Sequence, residues 1–171
     1  MIFVERTDPH HPQATALLKQ SHALMASLFP PEDSYYLEID DLVADDIHFF
    51  TGRIGDQILG TGALKIYPEY GEVKSMFVSD DARGKGIADA ILRQIIDQAI
   101  EAKLPIIKLE TGNLLYAAHR LYARHGFVPC GAFGDYVTAG RVGDVECAAV
   151  AVDEFAARIG LFGQQTRVFQ Q

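Results

Sequence analysis

Between residues 87 and 100 the apolar positions are Ile87, Ala88, Ile91, Leu92, Ile95, Ile96, Ala99 and Ile100. Asp89, Arg93, Gln94, Asp97, Gln98 and Glu101 fill the intervening places. This i, i+3, i+4 spacing predicts a long amphipathic helix with one buried face. Just upstream, Val73, Met76, Phe77 and Val78 form an apolar run of strand length, bounded by Gly71 and by the turn formers Ser79, Asp80 and Asp81. Earlier in the chain, residues 2–5 read as a strand and residues 12–28 as a helix, with Pro12 in its first turn and Pro30-Pro31 beyond its end. Residues 35–39 suit a short extended piece and residues 42–44 a turn of helix. Two strand-like runs, 47–53 and 57–66, are joined by Ile54-Gly55-Asp56, a hairpin signal. After the long helix come a β-prone run at 105–110, a helical stretch at 114–124 ended by Gly126, and further β-prone runs at 127–130 and 145–152. A hairpin followed by strand–helix–strand predicts an α/β fold with a mixed sheet and helices on its faces.

The chain has 171 residues, 49% of them hydrophobic and 22% charged, as expected of a single globular domain with one substantial core at about residues 2–152. A formal net charge of −8 disfavours sequence-independent nucleic-acid binding, since a polyanion would be repelled. Residues 1–8 lack a basic stretch followed by an apolar run, and no segment reaches the ~18 apolar residues of a membrane helix. A cytoplasmic location is expected, with no membrane partner. Cys130 and Cys147 have no metal-type spacing and read as reduced thiols, and the six histidines are scattered, so no metal site is expected.

The chemistry concentrates in Arg83-Gly84-Lys85-Gly86-Ile87-Ala88, between the central strand and the long helix. Glycines let backbone approach a ligand closely, and a helix N-terminus presents unpaired N–H groups and partial positive charge. Two readings stand side by side: a solvated helix cap, and a site for a phosphate or pyrophosphate. The order Lys85-Gly86 does not fit a P-loop, and Asp89 occupies the third glycine position of a dinucleotide fingerprint. The pattern [RQ]-x-x-G-x-[GA], met by Arg83, Gly86 and Ala88, instead resembles motif A of the GNAT N-acetyltransferase superfamily. The preceding strand EVKSMFV (72–78) and the later LYARHGF (121–127) also resemble family segments. So do LETG at 109–112 and CGAFGDY at 130–136, and the likeness spans residues 46–136. It departs after the Gly-Asp-Tyr stretch, where an alanine- and valine-rich segment and an extension from Asp153 follow. That departure leaves the last strand and any dimer contact open.

The resemblance implies the GNAT fold and acetyl-coenzyme A as co-substrate. It implies that backbone N–H groups of Arg83, Gly84, Lys85, Gly86, Ile87 and Ala88 hold the pyrophosphate. Met76, Phe77 and Val78 would pair with the pantetheine arm and the acetyl carbonyl, with Asn113 touching the pantetheine amides. Tyr122 matches the general acid beside the coenzyme A sulfur. For the base that deprotonates the amine, Glu72 is the first candidate and Glu110 the second. The implied acceptor is a small-molecule amine. Residues 29–46 carry Glu32, Asp33, Glu38, Asp40, Asp41, Asp45 and Asp46 with Tyr35 and Tyr36 interleaved, an expected acidic, aromatic mouth or else a solvated face. Acetylation of protein lysines or N-termini, and a coenzyme A-binding module without catalysis, are the alternatives. The tail is compatible with a homodimer contact.

Overall fold

The computed structural model describes residues 1–137 and 145–156. Seven strands form one sheet: β1 (Ile2–Arg6), β2 (Ile47–Ile54), β3 (Gln57–Ile66), β4 (Gly71–Val78), β5 (Ile106–Gly112), β6 (Val128–Cys130) and β7 (Val145–Ala151). They are ordered β1-β2-β3-β4-β5-β7-β6. Every neighbouring pair is antiparallel except β4 and β5, which are parallel. Helices α1 (Pro12–Leu28), α2 (Ile87–Glu101) and α3 (Tyr116–Arg124) accompany them. The mixed sheet expected from the sequence is therefore present. The parallel pair is made by the strand–helix–strand unit, because a parallel neighbour needs a long crossover.

The periodicity of α2 has its physical counterpart in the core. Ile91, Leu92, Ile95, Ile96 and Ala99 are fully buried, packed with Leu64, Val73, Ile107 and Leu109 of the sheet. Burying each large aliphatic side chain stabilises by about 1.5–3 kcal/mol, so this one helix face anchors the domain. A second, smaller cluster joins Ala14 and Leu18 of α1 to Leu42, Phe49 and Ala63. The β2–β3 hairpin turns through Gly55-Asp56, with Gly55 at φ +58°. Residues 35–38 form no strand, and the helical turn runs from Ile39 to Val43, earlier than expected. The cause is a reciprocal cap: Asp41 accepts from the Glu38 backbone N–H at 3.0 Å while the Glu38 side chain accepts from the Asp41 N–H. The alanine- and valine-rich segment is β7, inserted between β5 and β6. Val152 begins a helical turn that continues to residue 156. The extension from Asp153, with any assembly contact it makes, falls largely outside the described residues.

Two irregularities shape the middle of the sheet. In β4, Ser75 and Met76 together oppose Gly62 of β3, a bulge with Ser75 at φ +55°. The Thr61 hydroxyl donates to the Ser75 carbonyl at 2.8 Å and holds the bulge in place. Beyond it, β4 and β5 separate. Only Gly71, Glu72 and Val73 pair with Ile107, Lys108 and Leu109, whereas β5 pairs with β7 along its whole length. The edge of β4 from Met76 to Val78 thus pairs with β3 on one side and faces an open gap on the other.

Candidate active site

A groove of about 850 Å³ runs along that gap. One wall is Met76, Phe77 and Val78 of β4, and the end is the loop Ala82, Arg83, Gly84 and Gly86 with Ile87 and Ala88 of α2. The other wall is α3 with Leu114 and Leu115 before it, and Tyr122 faces in from that side. Gly84 and Gly86 have φ of +77° and +84°, a conformation that L-residues adopt only with strain. A Cβ at Gly84 would meet nothing within 4 Å, and one at Gly86 would meet only Ile2 at 3.7 Å. The backbone conformation, not crowding, calls for glycine here, and it turns the chain so that α2 opens onto the groove. Arg83 pairs backwards with Asp80 at 3.0 Å, and the backbone N–H groups of Arg83 and Lys85 donate to the Asp80 and Ala82 carbonyls, so the N–H groups of Gly84, Gly86, Ile87 and Ala88 are the loop's donors toward the groove. Asp89 in the first turn of α2 is neutralised by Arg124 at 3.1 Å and His125 at 3.0 Å. Burial raises its pKa, but these hydrogen bonds outweigh burial and hold the carboxyl below its ordinary range. They also tie α2 to the end of α3.

A small pocket of about 90 Å³ lies against the paired end of β4, lined by Tyr35, Leu37, Lys65, Tyr67, Tyr70, Glu72, Lys74, Gly134, Asp135 and Tyr136. Val73, Ile107 and Leu109 point into the α2 core, so by strand alternation their neighbours Glu72, Lys74, Lys108 and Glu110 belong to the opposite face. Glu72 is 3% exposed; its carboxylate accepts from the Tyr136 hydroxyl and, more distantly, from Tyr67 at 3.4 Å. Lys74 donates to the Tyr35 carbonyl and to the Tyr136 hydroxyl, both at 3.0 Å, and sits 3.4 Å from Glu72. Burial, with Glu72 nearby, pushes the Tyr67 phenol up to about 12 and raises that of Tyr136 further.

Glu110 connects the two cavities electrostatically. Burial pushes its carboxyl up to about 7, with Lys74 pulling it down and Glu72 pushing it further up. Tyr122, in the groove wall, is raised above its ordinary value by burial and then by Glu110. Its ring packs edge-on to Phe127 at 5.7 Å between centroids.

Of the residues singled out in the sequence, Met76, Phe77, Val78, Arg83, Gly84, Gly86, Ile87, Ala88 and Tyr122 share the groove. Lys85 sits in the same loop but does not line it, and Asn113 is half-buried in the turn just ahead of Leu114. Glu72 lies in the smaller pocket. The segment 29–46 gives this pocket Tyr35 and Leu37, while Glu38 and Asp41 cap a turn and Asp40 bonds His10 at 2.7 Å. Sequence reading missed Lys74, Tyr67 and Tyr70. Lys74 carried a signal, two residues from Glu72 on the same strand face. Among the described residues, no cluster of His, Cys, Asp or Glu is arranged to hold a metal, and no helix is long and apolar enough to cross a membrane.

A relative from Escherichia coli strain K12, an uncharacterized N-acetyltransferase YedL, is 35% identical over 139 residues, 80% of this chain and 87% of the relative. An IAA acetyltransferase of Azospirillum brasilense is 36% identical over 139 residues, 79% of this chain and 90% of the relative. A structure of a GNAT family acetyltransferase from Elizabethkingia anophelis with acetyl-CoA bound has the same fold, with a TM-score of 0.62 at 16% identity, covering 88% of this chain and 97% of that one. The family model described as the acetyltransferase (GNAT) family matches residues 14–127, a span that includes the bulged strand, the glycine loop and the groove wall. The chain therefore belongs to the GNAT acetyltransferase family.

Proposed function

We propose that the protein transfers the acetyl group of acetyl-coenzyme A to the primary amine of a small molecule, by direct attack of the amine on the thioester. The observation that carries this reading is the gap between β4 and β5, with an elongated groove on one side of the sheet, a small pocket on the other, and Glu110 of β5 on the pocket's sheet face. A pocket of about 90 Å³ suits a small amine better than a peptide.

The N–H groups of Gly84, Gly86, Ile87 and Ala88 take the pyrophosphate, aided by the positive end of α2, while those of Arg83 and Lys85 hold the turn through the Asp80 and Ala82 carbonyls. The gap-facing edge of β4 at Met76, Phe77 and Val78 aligns the pantetheine arm, with Asn113 near its amides. A preorganised N–H aimed at the developing charge on the thioester oxygen contributes about 3–4 kcal/mol. Glu110 takes the proton of the ammonium. A base near 7 accepts a proton from an α-amine of pKa about 8 at roughly 1.4 kcal/mol, but from an alkylamine near 10.4 at roughly 5. Glu72 is already engaged by Tyr136 and Tyr67 and serves to position Lys74 and Tyr136 beside Glu110. Tyr122, which keeps its proton at any working pH, gives it to the departing sulfur.

Release of free coenzyme A thiol from acetyl-coenzyme A, measured with and without a panel of small primary amines, tests the reading. Saturable, amine-dependent release is expected. Binding of acetyl-coenzyme A with no amine-dependent release would leave a binding module.

A further inference from the structure

On the acceptor face, Glu72 of β4 is flanked in register by Lys65 of β3 and Lys108 of β5. Neither lysine forms an ion pair with a carboxylate among the described residues, although Glu72 is the cross-strand neighbour of both. Their ammonium groups lie instead on aromatic faces: Lys65 is 5.2 Å from the Tyr67 ring centre and Lys108 is 4.8 Å from that of Tyr70. Tyr67 and Tyr70 stack on each other with centroids 4.6 Å apart, so the four side chains form a cation–ring–ring–cation layer at the pocket. Lys74 differs from both, since its three donors are matched by the Tyr35 carbonyl, the Tyr136 hydroxyl and Glu72. Lys65 both lines the pocket and retains donors for a ligand.

Lys65 and Lys74 line this space together with Glu72 and Asp135, and Lys108 and Glu110 lie on the same sheet face beside it. Glu72 and Lys74 engage each other, which leaves Glu110 on the β5 side and Lys65 on the β3 side of β4. A simple cationic amine would meet Lys65 unfavourably. An amine that also carries a carboxylate answers both sides. We infer that the acceptor is a small amino acid, its amine turned toward Glu110 and its carboxylate held by Lys65, with Lys65 as the specificity-determining residue. This rests on the small-molecule acetyltransfer proposed above.

The test compares kcat/KM for α-, β- and γ-amino acids with that for their carboxamides and for the matching amines without the acid group. Measurements use wild type, Lys65→Met and Lys65→Arg, and an acetyl-coenzyme A-induced rise in Tm verifies that each variant is folded. The carboxamide amine is the less basic and the more readily deprotonated, so chemistry alone favours the amide. A preference of at least tenfold for the free acid in wild type is expected. It should fall at least tenfold in Lys65→Met, through KM, and be largely restored in Lys65→Arg. Acetylation of the amide or the plain amine as efficiently as the acid overturns the inference and leaves the acetyltransfer reading standing. A preference for the acid that survives Lys65→Met overturns the role of Lys65. No transfer to any compound overturns the small-molecule reading and this inference with it.

Discussion

Glu110 stands between an ammonium and another carboxylate, and burial outweighs the help it receives from Lys74. If it is the base, kcat/KM should rise with pH along a limb of apparent pKa near 7, and Glu110→Gln should abolish that limb and lower the rate by roughly 10²–10⁴-fold. The same shift has a thermodynamic consequence of fixed sign. Below about pH 4.5 the carboxyl holds its proton folded or unfolded, and no penalty exists. Between there and about 7 the folded chain retains a proton that the unfolded chain releases, so stability declines as pH rises and stays lowered above 7. The loss is at most about 3 kcal/mol, and urea midpoints across this window should flatten in Glu110→Gln. An unchanged slope in the variant would assign the pH dependence to other groups. Tyr122→Phe makes a separate prediction: kcat falls roughly 10–100-fold while acetyl-coenzyme A still raises Tm, because only the proton is lost. A variant as fast as wild type would remove the acid role.

At the scale of elements, the bulge in β4 depends on the absence of a side chain opposite it. A Cβ on Gly62 would come within 2.5 Å of Ile91 Cγ2 and 2.6 Å of Met76 Sδ. Gly62→Ala should therefore cost about 1–3 kcal/mol by overpacking and raise KM for acetyl-coenzyme A by displacing Met76. Gly131→Ala, where a Cβ meets nothing within 4 Å, is the neutral comparison, and thermal melts of the two variants check the difference. How much of this architecture could be read beforehand follows the range of the interactions. The face of α2 and the Gly55 turn are local patterns, and the sequence expectations for both match the structure. The bulge, the separation of β4 from β5 and the insertion of β7 between β5 and β6 are long-range pairings that no spacing encodes. One wall and the end of the groove were legible because the strand, loop and helix that build them are contiguous between residues 71 and 88. The acceptor pocket was not, since Tyr35, Lys65, Glu72 and Tyr136 come from four separate segments. Alternation could put Glu72 and Glu110 on a strand but could not rank them, because distant elements supply the burial of Glu110 and the Tyr136 bond of Glu72.

Across the whole molecule, β1–β4 and β5–β7 meet in the sheet through only three residue pairs, Gly71, Glu72 and Val73 with Ile107, Lys108 and Leu109. Beyond the sheet, the two parts are joined by the α2 core, the Asp89 contacts from Arg124 and His125, and the bonds of the Tyr136 hydroxyl with Glu72 and Lys74. A ligand lying in the groove touches β4 and α2 on one side and α3 on the other, so it bridges the two parts across this short seam. Because it binds only the folded arrangement, acetyl-coenzyme A at 100 times its Kd should add about 2.7 kcal/mol to stability. For a chain of this length each kcal/mol is worth roughly 2–4 °C, so Tm should rise by about 5–11 °C. Gly86→Glu should lose this rise, since φ of +84° strains any residue with a Cβ and the new carboxylate enters the space meant for an anion. Lys85→Ala should keep it, because Lys85 does not line the groove and its backbone N–H still holds the turn through the Ala82 carbonyl. Scanning calorimetry on the three proteins separates the outcomes. A rise in wild type and Lys85→Ala but not in Gly86→Glu locates the pyrophosphate on backbone N–H groups. A rise lost in Lys85→Ala would instead make the lysine charge the main determinant of binding.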